Sequence, residues 1–175
     1  IDPQPVIGRF WEMFVADALL GNFDRHNGNW GFLYNEANDT VALAPVYDCG
    51  SSLYPQADAE TMNKILTSTG ERHARIYNYP ASAISLDGKK LSYYDFLTTV
   101  DNEDCLEALI KIYPYIDLDL IDQLIDTTEG LDSLQREFYK TMLKERYDLI
   151  LTPAYDRAHA IMKDHSRIQE MDAFE

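Results

Sequence analysis

The sequence predicts a mainly α-helical domain with one small β-hairpin near its start. Three observations carry that prediction: helical spacing of apolar residues over the first twenty positions, two short strand-like runs around an Asn/Asp-rich turn between residues 30 and 45, and a nearly continuous helical pattern from Tyr93 onward. With 175 residues, 46% of them apolar and 12% aromatic, the chain is long enough for one domain with its own core and too short for two. A single domain over residues 1–175 is expected.

The first helix is read from Val6 to Leu20, where Ile7, Phe10 or Trp11, Phe14 and Ala18 recur on one face. Gly21 and Asn22 should stop it, being residues that tolerate positive φ. Strands are expected over Trp30 to Tyr34 and Val41 to Pro45, joined by Asn35-Glu36-Ala37-Asn38-Asp39, which is turn chemistry. From Tyr54 to about Lys90 the chain reads as polar and irregular, with a helix expected near Ala57 to Thr67. Helices then follow over Tyr93 to Val100, Glu103 to Tyr113, Leu118 to Asp126 and Leu131 to Leu151. Thr152-Pro153 reads as a helix start, Thr as N-cap and Pro at the first helical position, so a last helix is expected from Pro153 to about His165.

Composition excludes several functions. A formal net charge of −15 opposes attraction to nucleic acid or to an anionic membrane unless a concentrated basic patch exists. The best basic stretch, Arg136, Lys140, Lys144 and Arg146, is interrupted by Glu137 and Glu145 and reads as a solvated helix face. Cys49 and Cys105 are expected to be reduced, as two thiols in a chain of this size suit an intracellular protein. No run is long and apolar enough to span a bilayer, and the start lacks the pattern of a signal peptide, so the cytoplasm is the expected location. The opening Ile1-Asp2-Pro3-Gln4-Pro5 has no initiator Met and is expected to belong to a cut chain.

Acidic, amide and glycine residues concentrate at both ends of the predicted hairpin, in Gly21-Asn22-Phe23-Asp24-Arg25-His26-Asn27-Gly28-Asn29 before it and Tyr47-Asp48-Cys49-Gly50-Ser51-Ser52 after it. A hairpin brings its ends together, so Asp24, Asn29 and Asp48 are expected to converge on an oxygen-rich spot of the kind Mg²⁺ accepts when phosphates supply its other ligands. The spacing is that of a kinase catalytic loop: an Asp to take the acceptor hydroxyl's proton, an Asn five residues later to hold metal, and a metal-binding Asp beyond a hairpin. Such a site positions and neutralises a transferring phosphoryl group, which a few oxygens and a base can do.

Asn22-Phe23-Asp24-Arg25-His26-Asn27-Gly28-Asn29-Trp30-Gly31-Phe32-Leu33 and Leu43-Ala44-Pro45-Val46-Tyr47-Asp48-Cys49-Gly50 together resemble the C-terminal region of HipA-like kinases. The resemblance is strongest over about thirty residues. It implies the C-terminal lobe of a two-lobed, protein-kinase-like serine/threonine kinase fold related to lipid kinases, ATP and Mg²⁺ as cofactors, and a protein substrate. Some bacterial members are toxins restrained by an antitoxin. Carried over by position, Asp24 is the catalytic base, Asn29 and Asp48 are the Mg²⁺ ligands, and His26 and Tyr47 contact nucleotide. The alternatives are loop orientation by Arg25 and simple packing for Tyr47. The family's glycine-rich phosphate loop and strand lysine have no counterpart before Asp24, so this chain alone is expected to lack the nucleotide-covering N-terminal lobe and to transfer phosphate poorly.

Competing assignments rest on weaker signals. Cys49 without a matching His and Asn reads as packing, and His73, His159 and His165 fit no zinc spacing. Tyr77, Tyr79, Tyr93 and Tyr94 could line a substrate groove, with packing the commoner role of such a stretch. A second functional class is a non-catalytic binding module that engages an antitoxin or a separate N-terminal lobe, and a third is a small-molecule kinase. Retention of Asp24, Asn29 and Asp48 favours catalysis over a pure scaffold.

Overall fold

The structure, a computed structural model, describes residues 3–172. Helix α1 spans Gln4–Leu20, with a proline in its first turn where the missing N–H has no partner to lose. It ends at Gly21, whose φ of 65° is the left-handed geometry foreseen for the stop. Its buried face, Trp11, Phe14, Val15 and Ala18, packs on α5 (Glu103–Ile112). Phe96 of α4 (Tyr93–Thr99) stacks on Trp11 and meets Phe14 edge-on. Burying each such ring stabilises the fold by roughly 1.5–3 kcal/mol.

The predicted hairpin forms as β1 (Phe32–Asn35) and β2 (Thr40–Leu43), antiparallel, with Phe32 opposite Leu43 and Asn35 opposite Thr40. Its strands are shorter than expected because Trp30 turns away to pack on Phe10, 5.7 Å between ring centroids.

Residues 54–90 are more regular than their sequence suggests. The helix expected near Ala57 to Thr67 is α2 (Ala59–Thr67), and it is followed by α3 (Thr69–Tyr77) and a second antiparallel hairpin, β3 (Ala81–Leu86) and β4 (Lys89–Ser92). The expectation of one hairpin is thus corrected to two. Asp87 and Gly88, at φ 50° and 77°, supply the paired left-handed residues of a tight two-residue turn. The strands were hidden because the register slips between Ala81 and Ser85 and spoils the alternation of buried and exposed residues.

After a 3₁₀ turn at Tyr113–Tyr115 come α6 (Leu118–Thr127) and α7 (Ser133–Arg146), the latter opened by an Asp132/Gln135 capping box. The last helix expected from Pro153 to about His165 forms within α8 (Thr152–Asp172), but Thr152 is not its N-cap and no break precedes it. Thr152 is helical, its N–H and its hydroxyl both donate to Tyr147 O, and a π turn over Tyr147–Leu151 joins α7 to α8. A proline needs the carbonyl four residues back to lie out of its way, and the widened turn gives that room. Phe138, Met142, Leu143, Ile150, Leu151, Ala154 and Ala158 along this run are buried and form the centre of the helical body.

The basic stretch from Arg136 to Arg146 is only in part the solvated face the sequence suggested: Lys144 is exposed, whereas Arg136 and Arg146 are engaged by the fold. Arg136 donates to the carbonyls of Ile125, Asp126 and Thr128 at the end of α6, and Arg146 is 1% exposed. Among the described residues no helix is long and apolar enough to cross a membrane. Both cysteines are free, Cys49 exposed and Cys105 buried.

Candidate active site

The site is built from the end of α1. Asp17 lies on the buried face of that helix, 2% exposed, and its carboxylate accepts from Arg25 Nε at 2.7 Å, Arg25 Nη2 at 3.0 Å and Asn22 Nδ2 at 2.9 Å. Three donors from the following loop therefore converge on one helical side chain. A two-pronged guanidinium–carboxylate pair fixes orientation as well as position, and its burial makes breaking it costly. The hydrogen bond to Asp17 raises the Arg25 pKa against the opposing cost of burial, so the guanidinium stays charged. Asn22 extends the hold: its side-chain oxygen accepts from Asp24 N at 3.1 Å, and its carbonyl accepts from Tyr93 Oη at 2.7 Å. Burial pushes the Tyr93 hydroxyl above its ordinary pKa, which keeps it a donor.

Arg25 then joins the two halves of the motif. Its Nη1 donates to Asn29 O at 2.6 Å and to Tyr47 O at 2.7 Å, and its Nη2 lies 3.5 Å from Cys49 Sγ. One buried guanidinium thus binds the loop that carries Asp24 and Asn29 to residues on either side of Asp48. The alternative role considered for Arg25, orienting the loop, is the one its contacts describe.

Asp24 and Asp48 are exposed, and neither carboxylate has a hydrogen-bond or ion-pair partner among the described residues. Asp48 holds a φ of 54°, a conformation most side chains avoid. Asn29 is 5% exposed, and its Nδ2 donates to Asp24 O at 2.7 Å. That bond uses one of the two amide N–H groups and turns the amide so that Oδ1 is without a hydrogen-bond partner among the described residues. Exposed His26 accepts from Gly28 N through Nδ1 at 2.9 Å, which in the neutral ring places the proton on Nε2. Tyr47 Oη donates to Gly28 O at 3.1 Å, a further tie across the loop, while its ring stays 42% exposed.

These donors fit a hard cation. No group of three His, Cys, Asp or Glu side chains able to hold a metal occurs among the described residues, which disfavours a cage made wholly by the protein. A free carboxylate and an amide oxygen are instead what Mg²⁺ takes from a protein when phosphates and water complete its shell.

A cavity of about 420 Å³ opens on one side of the loop. Phe23, Asp24, Arg25, His26, Asn27 and Gly28 form one wall, and Ala83 and Lys90 of the second hairpin form the other. Asn29, Tyr47 and Asp48 do not line it. Phe23 also borders a smaller aromatic cavity of about 190 Å³ with Tyr54 and Tyr79. Of the four tyrosines singled out in the sequence, Tyr93 is buried, Tyr77 packs on Tyr94, and Tyr79 lines this smaller cavity.

Sequence reasoning missed Asp17 and Lys90. The available signal for Asp17 was an acid set among Phe14, Val15, Ala18 and Leu19 on an apolar face. For Lys90 it was the Asp-Gly turn just before it.

Comparison with known proteins agrees with this arrangement. The profile of the HipA-like C-terminal domain family matches residues 2–111. The chain is 49% identical over 168 residues to "Serine/threonine-protein kinase CtkA" of Helicobacter pylori strain J99, a match covering 95% of this chain and 52% of that protein. The crystal structure of a Helicobacter pylori proinflammatory kinase CtkA superposes with a TM-score of 0.90 at 50% identity, covering 93% of this chain and 59% of that one. The chain therefore spans about half the length of the curated relative it matches.

Proposed function

Because this chain belongs to the HipA-like C-terminal domain family, we propose that it is the catalytic-loop lobe of a serine/threonine protein kinase that transfers a phosphoryl group from Mg²⁺-ATP to a protein hydroxyl. The observation that carries this reading is the Arg25 bridge, which binds the carbonyls of Asn29 and Tyr47 with one nitrogen. A turn-forming cluster needs no such buried link between two distant segments, whereas a transfer site must hold its base and its metal ligands in fixed relation.

When bound, Mg²⁺-ATP supplies the phosphoryl group and the charge neutralisation around it. Asn29 Oδ1 and the Asp48 carboxylate would hold the metal. Asp24, unpaired and exposed, accepts the proton of the acceptor hydroxyl as the oxygen attacks. His26, with Nδ1 committed to Gly28, would present Nε2–H to a phosphate oxygen. Tyr47, its hydroxyl held by Gly28, offers the nucleotide its ring face. Arg25 and Asp17 touch no reactant and act as positioning residues.

A second reading has its own support. Phe32, Leu33, Tyr34 and Val41 of the first hairpin are 48–59% exposed, an apolar surface suited to a covering partner. We propose an N-terminal lobe as its occupant, since the chain spans only 52% of its curated relative. A non-catalytic module that engages such a lobe, or an antitoxin, would use the same face.

The two readings separate in a radiolabel transfer assay on the full-length gene product. Under the kinase reading, Asp24→Asn lowers kcat by about 10²-fold or more while leaving ATP affinity within about threefold. No transfer by either protein would leave the binding module as the better account, and equal activity of the two would remove Asp24 from the role of base.

A further inference from the structure

Lys90 is set apart from most lysines of this acidic chain. Lys64, Lys111, Lys140 and Lys144 each hold a carboxylate, as expected where acids outnumber bases 30 to 15. Lys90 has no hydrogen-bond or ion-pair partner among the described residues, yet it lines the same 420 Å³ cavity as Asp24. The other strong cation on that cavity, Arg25, is already committed to Asp17. The uncommitted positive charge facing the proposed base is therefore that of Lys90.

The side of the base on which this charge lies follows from the lining. Of the proposed metal and nucleotide residues, Asn29, Tyr47 and Asp48 do not border the cavity whereas His26 does, so it begins where the phosphoryl group would be transferred and extends from Asp24 away from the metal ligands, the side left for the acceptor. Its volume is within the range of ligand-binding pockets. Ala83 and Lys90 are carried by the second hairpin, whose strands are joined by the tight Asp87-Gly88 turn. Through Phe23 the cavity adjoins a second compartment, lined by Tyr54 and Tyr79 together with Gln56, Thr61 and Arg75, so a place of mixed aromatic and polar character lies beside the charged one. Two adjoining compartments of different chemistry suit a peptide with neighbouring side chains.

We propose that Lys90 is a specificity-determining residue that recognises a carboxylate side chain flanking the acceptor serine or threonine, so that the preferred protein substrate is acidic around its phosphorylation site. The inference rests on the kinase reading above. Lys90 is exposed, so a single charge pair of this kind is expected to change substrate use by a few-fold, and exchange of attraction for repulsion by about tenfold.

The test is steady-state phosphorylation by the full-length gene product of serine and threonine peptides flanked by Glu, Gln or Lys. The wild-type protein should favour the Glu-flanked peptide over the Lys-flanked one by about tenfold in kcat/KM. Lys90→Glu should reverse that order, with KM for ATP within about twofold of wild type. Lys89→Glu makes the same change in net charge at a residue that does not line the cavity, and should keep the wild-type order. Wild-type indifference to flanking charge, a preference that survives Lys90→Glu, or an effect of Lys90→Glu confined to KM for ATP would each overturn the inference while leaving the kinase reading intact. Absence of transfer to any peptide, with Asp24→Asn indistinguishable from wild type, would overturn both.

Discussion

At the scale of single residues, the pair of Asp17 and Arg25 governs how the loop is held. Their side chains are 3% and 4% exposed, and Asp17→Asn would leave a buried guanidinium charge without its counter-ion. That substitution should cost about 3–5 kcal/mol, read as a fall in the urea midpoint, and should weaken nucleotide binding although Asp17 touches no nucleotide. A change below about 0.5 kcal/mol, the scale of ordinary surface substitutions, would contradict the positioning role. Asp24, Asn29 and Asp48 stand out in the sequence because their order and spacing around a hairpin match what phosphoryl transfer asks of a catalytic loop, and their roles remain the proposal made above. Asp17 does not stand out, because an acid on a helix is normally read as solvent-facing and only its partner eight residues on explains its burial. Cys105 offers a separate check at this scale. Burial pushes its thiol from an ordinary value near 9 up to about 12. The folded state thus keeps a proton that the unfolded state releases, so this contribution to stability is complete below about pH 9 and lost as pH rises through about 12. Urea melts between pH 8 and 11 should show a shallower pH dependence for Cys105→Ala than for wild type, and parallel curves would refute this assignment.

At the scale of elements, the ends of helices decide where the site residues lie. Gly21 closes α1 at φ 65°, and a Cβ there would meet Arg146 Nε and the Tyr54 ring at 3.5 Å, ordinary contact distance. The cost of Gly21→Ala is therefore conformational, about 1–2 kcal/mol, and should appear in thermal unfolding. A neutral result would mean that the loop can leave α1 by another route. Arg136 closes α6 by donating to three of its terminal carbonyls. Arg136→Ala should destabilise by about 1–3 kcal/mol, where a solvated basic face would give almost nothing. Elements with strong periodicity, such as α1 and α5, were readable from residue spacing alone. The second hairpin was not, because its register slip erases alternation, and the π turn at Tyr147–Leu151 was not, because a proline preceded by threonine looks the same as a new helix start.

At the scale of the whole molecule, distant segments meet at a few buried side chains. Arg146, near the end of α7, donates to Ala18 O at 2.6 Å and to Tyr54 Oη at 3.1 Å, while Tyr54 donates to Arg75 O at 3.0 Å. The end of α1, the segment beyond Asp48 and the last turn of α3 therefore share one anchor, and Leu53 N adds a bond to Leu20 O at 2.9 Å. These contacts link residues up to 128 positions apart, which is why local reasoning found the motif but not the frame that holds it. The class of the fold was nonetheless readable, because a short hairpin set within a helical chain is an unusual order of elements and the catalytic-loop spacing falls at its two ends. Asn29 and Asp48, on segments that Arg25 ties together, are proposed to hold Mg²⁺-ATP. Calorimetry of Mg²⁺-ATP binding to the full-length gene product, beside Asp48→Ala, tests this central proposal most directly. The account predicts Mg²⁺-dependent binding that weakens by at least about tenfold in Asp48→Ala with an unchanged melting temperature, and equal nucleotide affinity in the two proteins would contradict it.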